Sequence, residues 1–307
     1  GLPIRDEIRR HGCRVPKSSA AEESMSRYSL MRALERASRP EWIVAVLTAT
    51  LAACAPLPPV ANPVANPAAD QTQHQDAPQA PASVAVRSAD GPLPVPPNLI
   101  ALTQPAGQKR LMATAHNRSY WPLSQYFETQ RNEAYCSVAT SVMALNALGI
   151  RRPASTLYPD FPYFSQEDFF RDVDPQVANA ARVSKEGMTL DQLSVALSAF
   201  PVEVKAFHAN DLTLDQFRDL IRDTTSRSGR FALLNFRRVD IGETGGGHWS
   251  PLAAYDAASD SALLLDVARY KYPAAWVPVA QLYAGALAVD YVSGLSRGIV
   301  IVGTRAH

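Results

Sequence analysis

Proline divides this chain before any other feature does. Eleven of its 24 prolines, from Pro56 to Pro97, fall within residues 55–98, a stretch otherwise dominated by Ala, Gln, Asn and Val. Such a segment has too few large apolar side chains to offset its own conformational entropy, and it reads as a disordered linker. At about 3.1 Å per residue its 44 residues would reach roughly 130 Å as polyproline, and much less as a coil. The chain therefore divides into residues 1–54, the linker, and residues 99–307, which hold nearly all the aromatic side chains and are enough for one core. Charge then removes a class of partner. With 30 basic and 29 acidic side chains, for a formal charge of +1, nothing suggests a basic face that could neutralise nucleic-acid phosphates. Three cysteines are too few for a disulfide scaffold, and no run of about twenty apolar residues is present to span a bilayer.

Residues 43–53, IVAVLTATLAA, form a short apolar run behind Arg32, Arg36 and Arg39, the order of a secretory signal. The run closes on Leu51-Ala52-Ala53-Cys54, which resembles the lipobox of bacterial lipoproteins. On that reading Cys54 is lipidated and residues 55–98 tether an exported domain, periplasmic or held at a bacterial membrane. Residues ahead of Met25 or Met31 read as an upstream extension, and the plainer alternative is an ordinary signal peptide with a chance cysteine. Export would remove Cys13 and cap Cys54, leaving Cys136 as the free thiol.

Within residues 99–307, Thr189-Leu190-Asp191-Gln192 and Thr213-Leu214-Asp215-Gln216 read as capping boxes, each opening a run of apolar residues at helical spacing. Residues 165–171 suggest another short helix. Further on, residues 231–236 (FALLNF), 251–255 and 262–268 (ALLLDVA) are short apolar runs bounded by Gly, Asp and Ser, and read as strands. Helices before strands predict an α+β domain with an antiparallel sheet.

The chemistry gathers in two places. Residues 130–149 read as a loop entering a helix, with Asn132 as its cap, Glu133 in its first turn, Val138, Val142, Leu145 and Leu148 or their neighbours as one core face and Gly149 ending it. Cys136 then sits at a helix N-terminus, where free amides and the helix dipole favour a thiolate. Gln130, six residues upstream, has the spacing found in papain-like cysteine peptidases, where a glutamine amide joins the cysteine's own N–H in an oxyanion hole. A thiolate needs a base, and His248 follows Gly245-Gly246-Gly247 at the start of a strand. The turn Asp256-Ala257-Ala258-Ser259-Asp260 leads to the next strand. A hairpin centred on Ala257 puts His248, nine residues before, opposite Asp266, nine residues after, on one face. The bland alternatives are a small core cysteine and an ordinary glycine loop. His116 and His208 read as surface or locally bonded histidines. Zinc motifs and a phosphate-binding glycine loop are absent.

Several segments together resemble the catalytic domain of the phytochelatin synthase family over about residues 110–290. They are Tyr126-Phe127-Glu128-Thr129-Gln130 through Tyr135-Cys136, Gly247-His248-Trp249-Ser250-Pro251-Leu252, and Asp266-Val267-Ala268-Arg269-Tyr270-Lys271-Tyr272-Pro273. The resemblance implies a papain-like fold whose helical part carries the cysteine and packs on an antiparallel sheet carrying histidine and aspartate. It implies transfer of γ-glutamylcysteine from glutathione, with Cys136 as nucleophile, His248 as base, Asp266 orienting it and Gln130 in the oxyanion hole. Arg269, Arg238 and Asn235 would hold the γ-glutamyl end, since an anionic peptide calls for forked cationic donors, and Tyr135 would line the same site. No protein-bound cofactor or metal ligand is implied, and cadmium or zinc would enter as the metal thiolate of glutathione. A homodimer is left open. Ser137 departs from the glycine usual after the family's cysteine. Up to His307 no counterpart of the cysteine-rich C-terminal domain of eukaryotic members is seen, which points toward short bacterial members that resemble glutathione hydrolases. The alternatives are a general papain-like or transglutaminase-like enzyme and a non-catalytic metal-thiolate-binding module.

Overall fold

The computed structural model describes residues 91–305. The upstream extension, the signal with Cys54 and most of the linker lie outside the described residues. Seven strands, β1 (Ile100–Ala101), β2 (Val202–His208), β3 (Arg230–Arg237), β4 (Gly247–Asp256), β5 (Ser261–Leu264), β6 (Ala275–Pro278) and β7 (Gly298–Thr304), form one sheet. Its order is β1-β6-β5-β4-β3-β7-β2 and every pairing is antiparallel. Seven α-helices accompany it among the described residues: α1 (Pro105–Ala113), α2 (Tyr120–Gln125), α3 (Cys136–Ala147), α4 (Ala180–Glu186), α5 (Leu190–Leu197), α6 (Leu214–Thr225) and α7 (Val279–Leu287). The expected α+β class with an antiparallel sheet is what forms. None of the described helices is long and apolar enough to cross a membrane.

Successive strand residues face opposite sides, and here both sides are covered. In β3, Phe231 and Leu233 join the core built by α1 to α5, while Ala232, Leu234 and Phe236 join the core built by α6 and α7. That double burial explains why FALLNF, apolar except for Asn235, does not alternate with polar residues. Both capping boxes form as expected. Thr189 and Thr213 accept from the Gln192 and Gln216 N–H groups, and each glutamine side chain accepts in return.

Four local expectations are corrected. The linker's final residues pack on the domain: Leu93 N–H donates to the Lys271 carbonyl at 2.8 Å and the Asn98 amide donates to Gln281 at 2.8 Å. Prolines with fixed φ make such an extended strap inexpensive to order, so the packed chain begins before residue 99. Asn132 does not cap α3. Its side chain accepts from Ala134 N–H at 2.9 Å, closing a turn ahead of a helix that starts at Cys136 with Tyr135 at the cap position. The expected helix over residues 165–171 contracts to a 3₁₀ turn, Asp168–Arg171, because the Asp168 carboxylate accepts from Ser165 Oγ and from the hydroxyl and N–H of Thr156. Lastly, α3 does not present one apolar face. Every residue from Cys136 to Asn146 is buried, as in a helix enclosed by protein.

Candidate active site

Cys136 is the first residue of α3, a helix that packs against β4. The amides of a first helical turn have no partner within the helix. Burial alone would push the Cys136 thiol up. The hydrogen bond and charge of His248, with backbone hydrogen bonds from Trp249 and Ser137, hold it below the ordinary thiol value.

His248 lies near the start of β4, and its Nε2 is 2.9 Å from Asp266 Oδ1. Cys136 lines the same cavity wall as the ring and favours its protonated form. Burial would strip the imidazole of its proton, and Arg238 works in the same direction. The Asp266 charge and the ring's hydrogen bonding to Asp266 and Cys136 prevail, raising His248 above its usual value. Asp266 is in turn held well below the ordinary carboxylate range against its own burial by His248 and Arg238.

The pair expected from the hairpin is therefore present, in a different register. Asp256 pairs with Ser261 and, past a bulge, Leu252 pairs with Leu264, so the turn centre lies beyond Ala257. Strand β5 ends at Leu264 rather than 268, and Leu265 N–H donates to the Pro251 carbonyl at 3.1 Å. Asp266 thus comes level with Ser250, diagonal to His248. A two-residue displacement keeps the same face of a strand, which is why the contact survives the error.

Arg238, expected at the γ-glutamyl end of a substrate, is committed elsewhere. Its guanidinium grips Asp266 with two hydrogen bonds of 2.7 and 2.9 Å and also pairs with Glu243. The Tyr272 ring lies 5.4 Å from it. Arg238, Glu243 and Asp266 are all buried. The Glu243 carboxyl is pushed up to about 7, because burial outweighs the attraction of Arg238.

Gln130 is buried beside the dyad. Its Nε2 donates to the Asn132 carbonyl at 2.8 Å and to Tyr270 Oη at 3.1 Å, while Oε1 is unpartnered. Half-exposed Tyr270 therefore covers the donor that an oxyanion hole would use. Two cavities meet at His248, sharing Glu133 and Gly247 in their walls. One, of about 280 Å³, is lined by Cys136, Lys185, Trp249, Tyr291 and Arg297. The other, of about 220 Å³, is lined by Gln130, Arg238, Tyr270 and Lys271.

Arg297 is the residue that reading the sequence missed. It precedes β7, pairs with Asp290 at 3.2 Å, and lies where a Cβ on Gly247 would come within 2.3 Å of its Nη1. That close approach requires the glycine before the histidine. Asn235 does not line either cavity; its Oδ1 accepts from Arg297 at 2.8 Å, and its Nδ2 has no partner. Arg269 is exposed, stacked 4.7 Å over Phe127 and bonded to that residue's carbonyl, outside both cavities. Tyr135 is also outside them, its ring against Phe170 and its hydroxyl on the Ala180 carbonyl at 3.3 Å. Only the placement of β7 beside β3 could have revealed Arg297. Among the described residues no cluster of three or more His, Cys, Asp or Glu could hold a metal ion.

A thiol whose ionisation is favoured, an imidazole whose protonation is favoured and a carboxylate behind it form an arrangement suited to acyl transfer through a thioester. The family model described as phytochelatin synthase matches residues 91–299. Glutathione gamma-glutamylcysteinyltransferase 3 of Lotus japonicus is 32% identical over 213 residues, 68% of this chain and 43% of that protein. Glutathione gamma-glutamylcysteinyltransferase 1 of Arabidopsis thaliana is 31% identical over 188 residues, 61% and 37% of the two chains. The counterpart in Schizosaccharomyces pombe is 27% identical over 193 residues, 63% and 45%. The matched part thus spans less than half the length of these curated relatives. Among solved structures, xylellain, a cysteine protease from Xylella fastidiosa, aligns over 68% of this chain and 87% of its own at 14% identity, with a TM-score of 0.25.

Proposed function

Because this chain belongs to the phytochelatin synthase family, we propose that it acts on glutathione as a γ-glutamylcysteinyltransferase with Cys136 as nucleophile. One observation carries the reading: Cys136 heads a buried helix and lines one cavity with His248, whose Nε2 lies 2.9 Å from Asp266. The thiolate attacks the carbonyl carbon of the Cys–Gly bond, and the charge moves to the carbonyl oxygen at the helix N-terminus. Gln130 adds a donor there once Tyr270 turns aside. His248 gives its proton to the departing glycine nitrogen, the C–N bond breaks, and γ-glutamylcysteine remains as a thioester on Cys136. Water, or the amine of a second glutathione, then loses a proton to His248 and attacks the thioester, whose C–S bond breaks to return the Cys136 thiolate. Water gives hydrolysis; the amine gives a longer peptide.

The cavity beside Cys136 suits the γ-glutamyl end, since Arg297 and Lys185 offer cations to its carboxylate. Asn235 contributes by holding Arg297, and Arg238 by holding Asp266. Cadmium or zinc enters as the thiolate of glutathione, as substrate. We further propose that the domain is exported and tethered through lipid on Cys54, a reading supported by residues 43–54 alone.

The test is incubation with glutathione, with and without cadmium, followed by mass spectrometry of products and intact protein. Free glycine with γ-glutamylcysteine marks hydrolysis; longer γ-glutamylcysteine repeats mark transfer. Cleavage of ordinary α-linked peptides at equal rates would favour a general peptidase. Cadmium retention with no glycine released by folded protein would leave a binding module and overturn the reading.

A further inference from the structure

Among the buried ionisable groups linked to His248, the proposed reaction leaves Glu243 without a task. Glu243 is 3% exposed and sits in the loop between the 3₁₀ turn Arg238–Ile241 and β4. Its carboxylate bonds Arg238, whose fork grips Asp266, which holds His248, which holds Cys136. The loop is closed on itself, with Arg238 N–H on the Gly246 carbonyl at 3.0 Å and Glu243 N–H on the Arg238 carbonyl at 3.1 Å. Tyr272 anchors it from the far side, accepting the Thr244 N–H at 2.9 Å. The charged groups acting on Glu243 are Arg238 beside it, Asp266 behind β5 and His248 on β4.

Five linked groups leave a question of charge. Asp266 by itself would hold a proton firmly on His248, but the bidentate Arg238 offsets part of that charge and opposes the imidazolium. A second carboxylate on the same guanidinium restores the balance. We propose that Glu243 is a positioning residue for the Cys136–His248 pair: it clamps Arg238 onto Asp266 and, when ionised, keeps the proton on His248. This rests on the catalytic pair of the proposed reaction, not on the identity of the substrate.

The charge effect has a distinctive pH signature. The Glu243 carboxyl titrates near 7, so below that value it is protonated and a glutamine mimics it. Above it, the native side chain is ionised and glutamine is not. Losing the negative charge eases proton loss from His248, so Glu243→Gln moves the alkaline step toward lower pH, by about half a unit or more. The acid step, where the thiol ionises, stays in place. Glu243→Asp keeps the charge and returns the alkaline step toward the native position.

The readout is the pH dependence of Cys136 alkylation by iodoacetamide in the full chain, followed on the Cys136 peptide by mass spectrometry. It needs no glutathione, so its failure is separable from failure of the substrate reading. Movement of the alkaline step alone in Glu243→Gln, reversed in Glu243→Asp, supports the proposal. Superimposable profiles, or a rate lowered equally at every pH, overturn it. A His248 ring-proton titration of the native protein by NMR keeps the proposal testable should the glutamine variant not fold: a second inflection near neutrality supports it, and a single inflection overturns it.

Discussion

The two sides of the site are built from opposite materials. On the cysteine side, α3 has no charged residue along its length and is buried throughout; its polar groups are hydroxyls and one amide. On the histidine side, β3, β4 and the segment after β5 bring together Arg238, Glu243, His248 and Asp266, all buried and ion-paired. The difference teaches that the helix supplies position and the sheet supplies charge. A neutral, enclosed helix gives Cys136 a fixed place and a backbone hydrogen bond from Ser137, while the side-chain charges that act on the pair come from the histidine side.

That contrast can be broken first at the pair itself. Cys136→Ser or His248→Ala should lower glycine release from glutathione by about a thousandfold or more, with circular dichroism and melting little changed. Near-native turnover by folded Cys136→Ser protein would refute the nucleophile.

Asp266→Asn should cost less at the histidine but more in stability, because the substitution also removes half of Arg238's partnership. Loss of one member of a buried ion pair costs about 3–5 kcal/mol, measurable by urea unfolding. The sign with pH follows from its depressed carboxyl. Its stabilisation is present above about pH 4, the unfolded value, and is lost as pH falls toward the folded one. Asn also withdraws the charge that raises His248, so the alkaline limb of activity should move toward lower pH. An unmoved limb would show that Arg238 and Asp266 already cancel at the ring.

Arg297→Ala should raise KM for glutathione by about ten- to a hundredfold, as loss of a charge-assisted hydrogen bond to substrate would. Arg269→Ala should leave KM nearly unchanged because that side chain stacks on Phe127 outside the cavities. The reverse outcome would restore the assignment expected from resemblance. The smallest expected effect on turnover lies on the neutral side. Asn146 donates to and accepts from the Phe164 backbone at 2.8 and 3.1 Å, inside α3's buried surroundings. Asn146→Ala should cost about 2 kcal/mol of stability in denaturant titration, without moving the pH profile. A moved profile would mean that the helix tunes charge after all.

Much of this was legible because it is local or because strand geometry forgives small errors. The capping boxes at Thr189 and Thr213, Cys136 at a helix start and Gly149 with its positive φ just past the helix end depend on neighbours within a few residues. The His248–Asp266 contact was reached through a turn centre misplaced along the chain, and survived because strand faces repeat every second residue. Arg238 misled because a forked cation near the site serves an internal carboxylate as readily as a substrate, and spacing does not distinguish them.

By itself the sequence determined the α+β class, the placing of Cys136 at a helix start, the contact of His248 with Asp266, and the family these residues resemble. Only the tertiary structure decided what surrounds them. Strand β7, from near the end of the chain, lies between β3 and β2, and this carries Arg297 to Gly247 and Asn235. The same packing closes Glu243 and Arg238 behind Asp266 and covers both faces of the sheet. These are contacts between residues far apart along the chain, set by burial and strand pairing, and no local periodicity encodes which distant charge will be enclosed beside which.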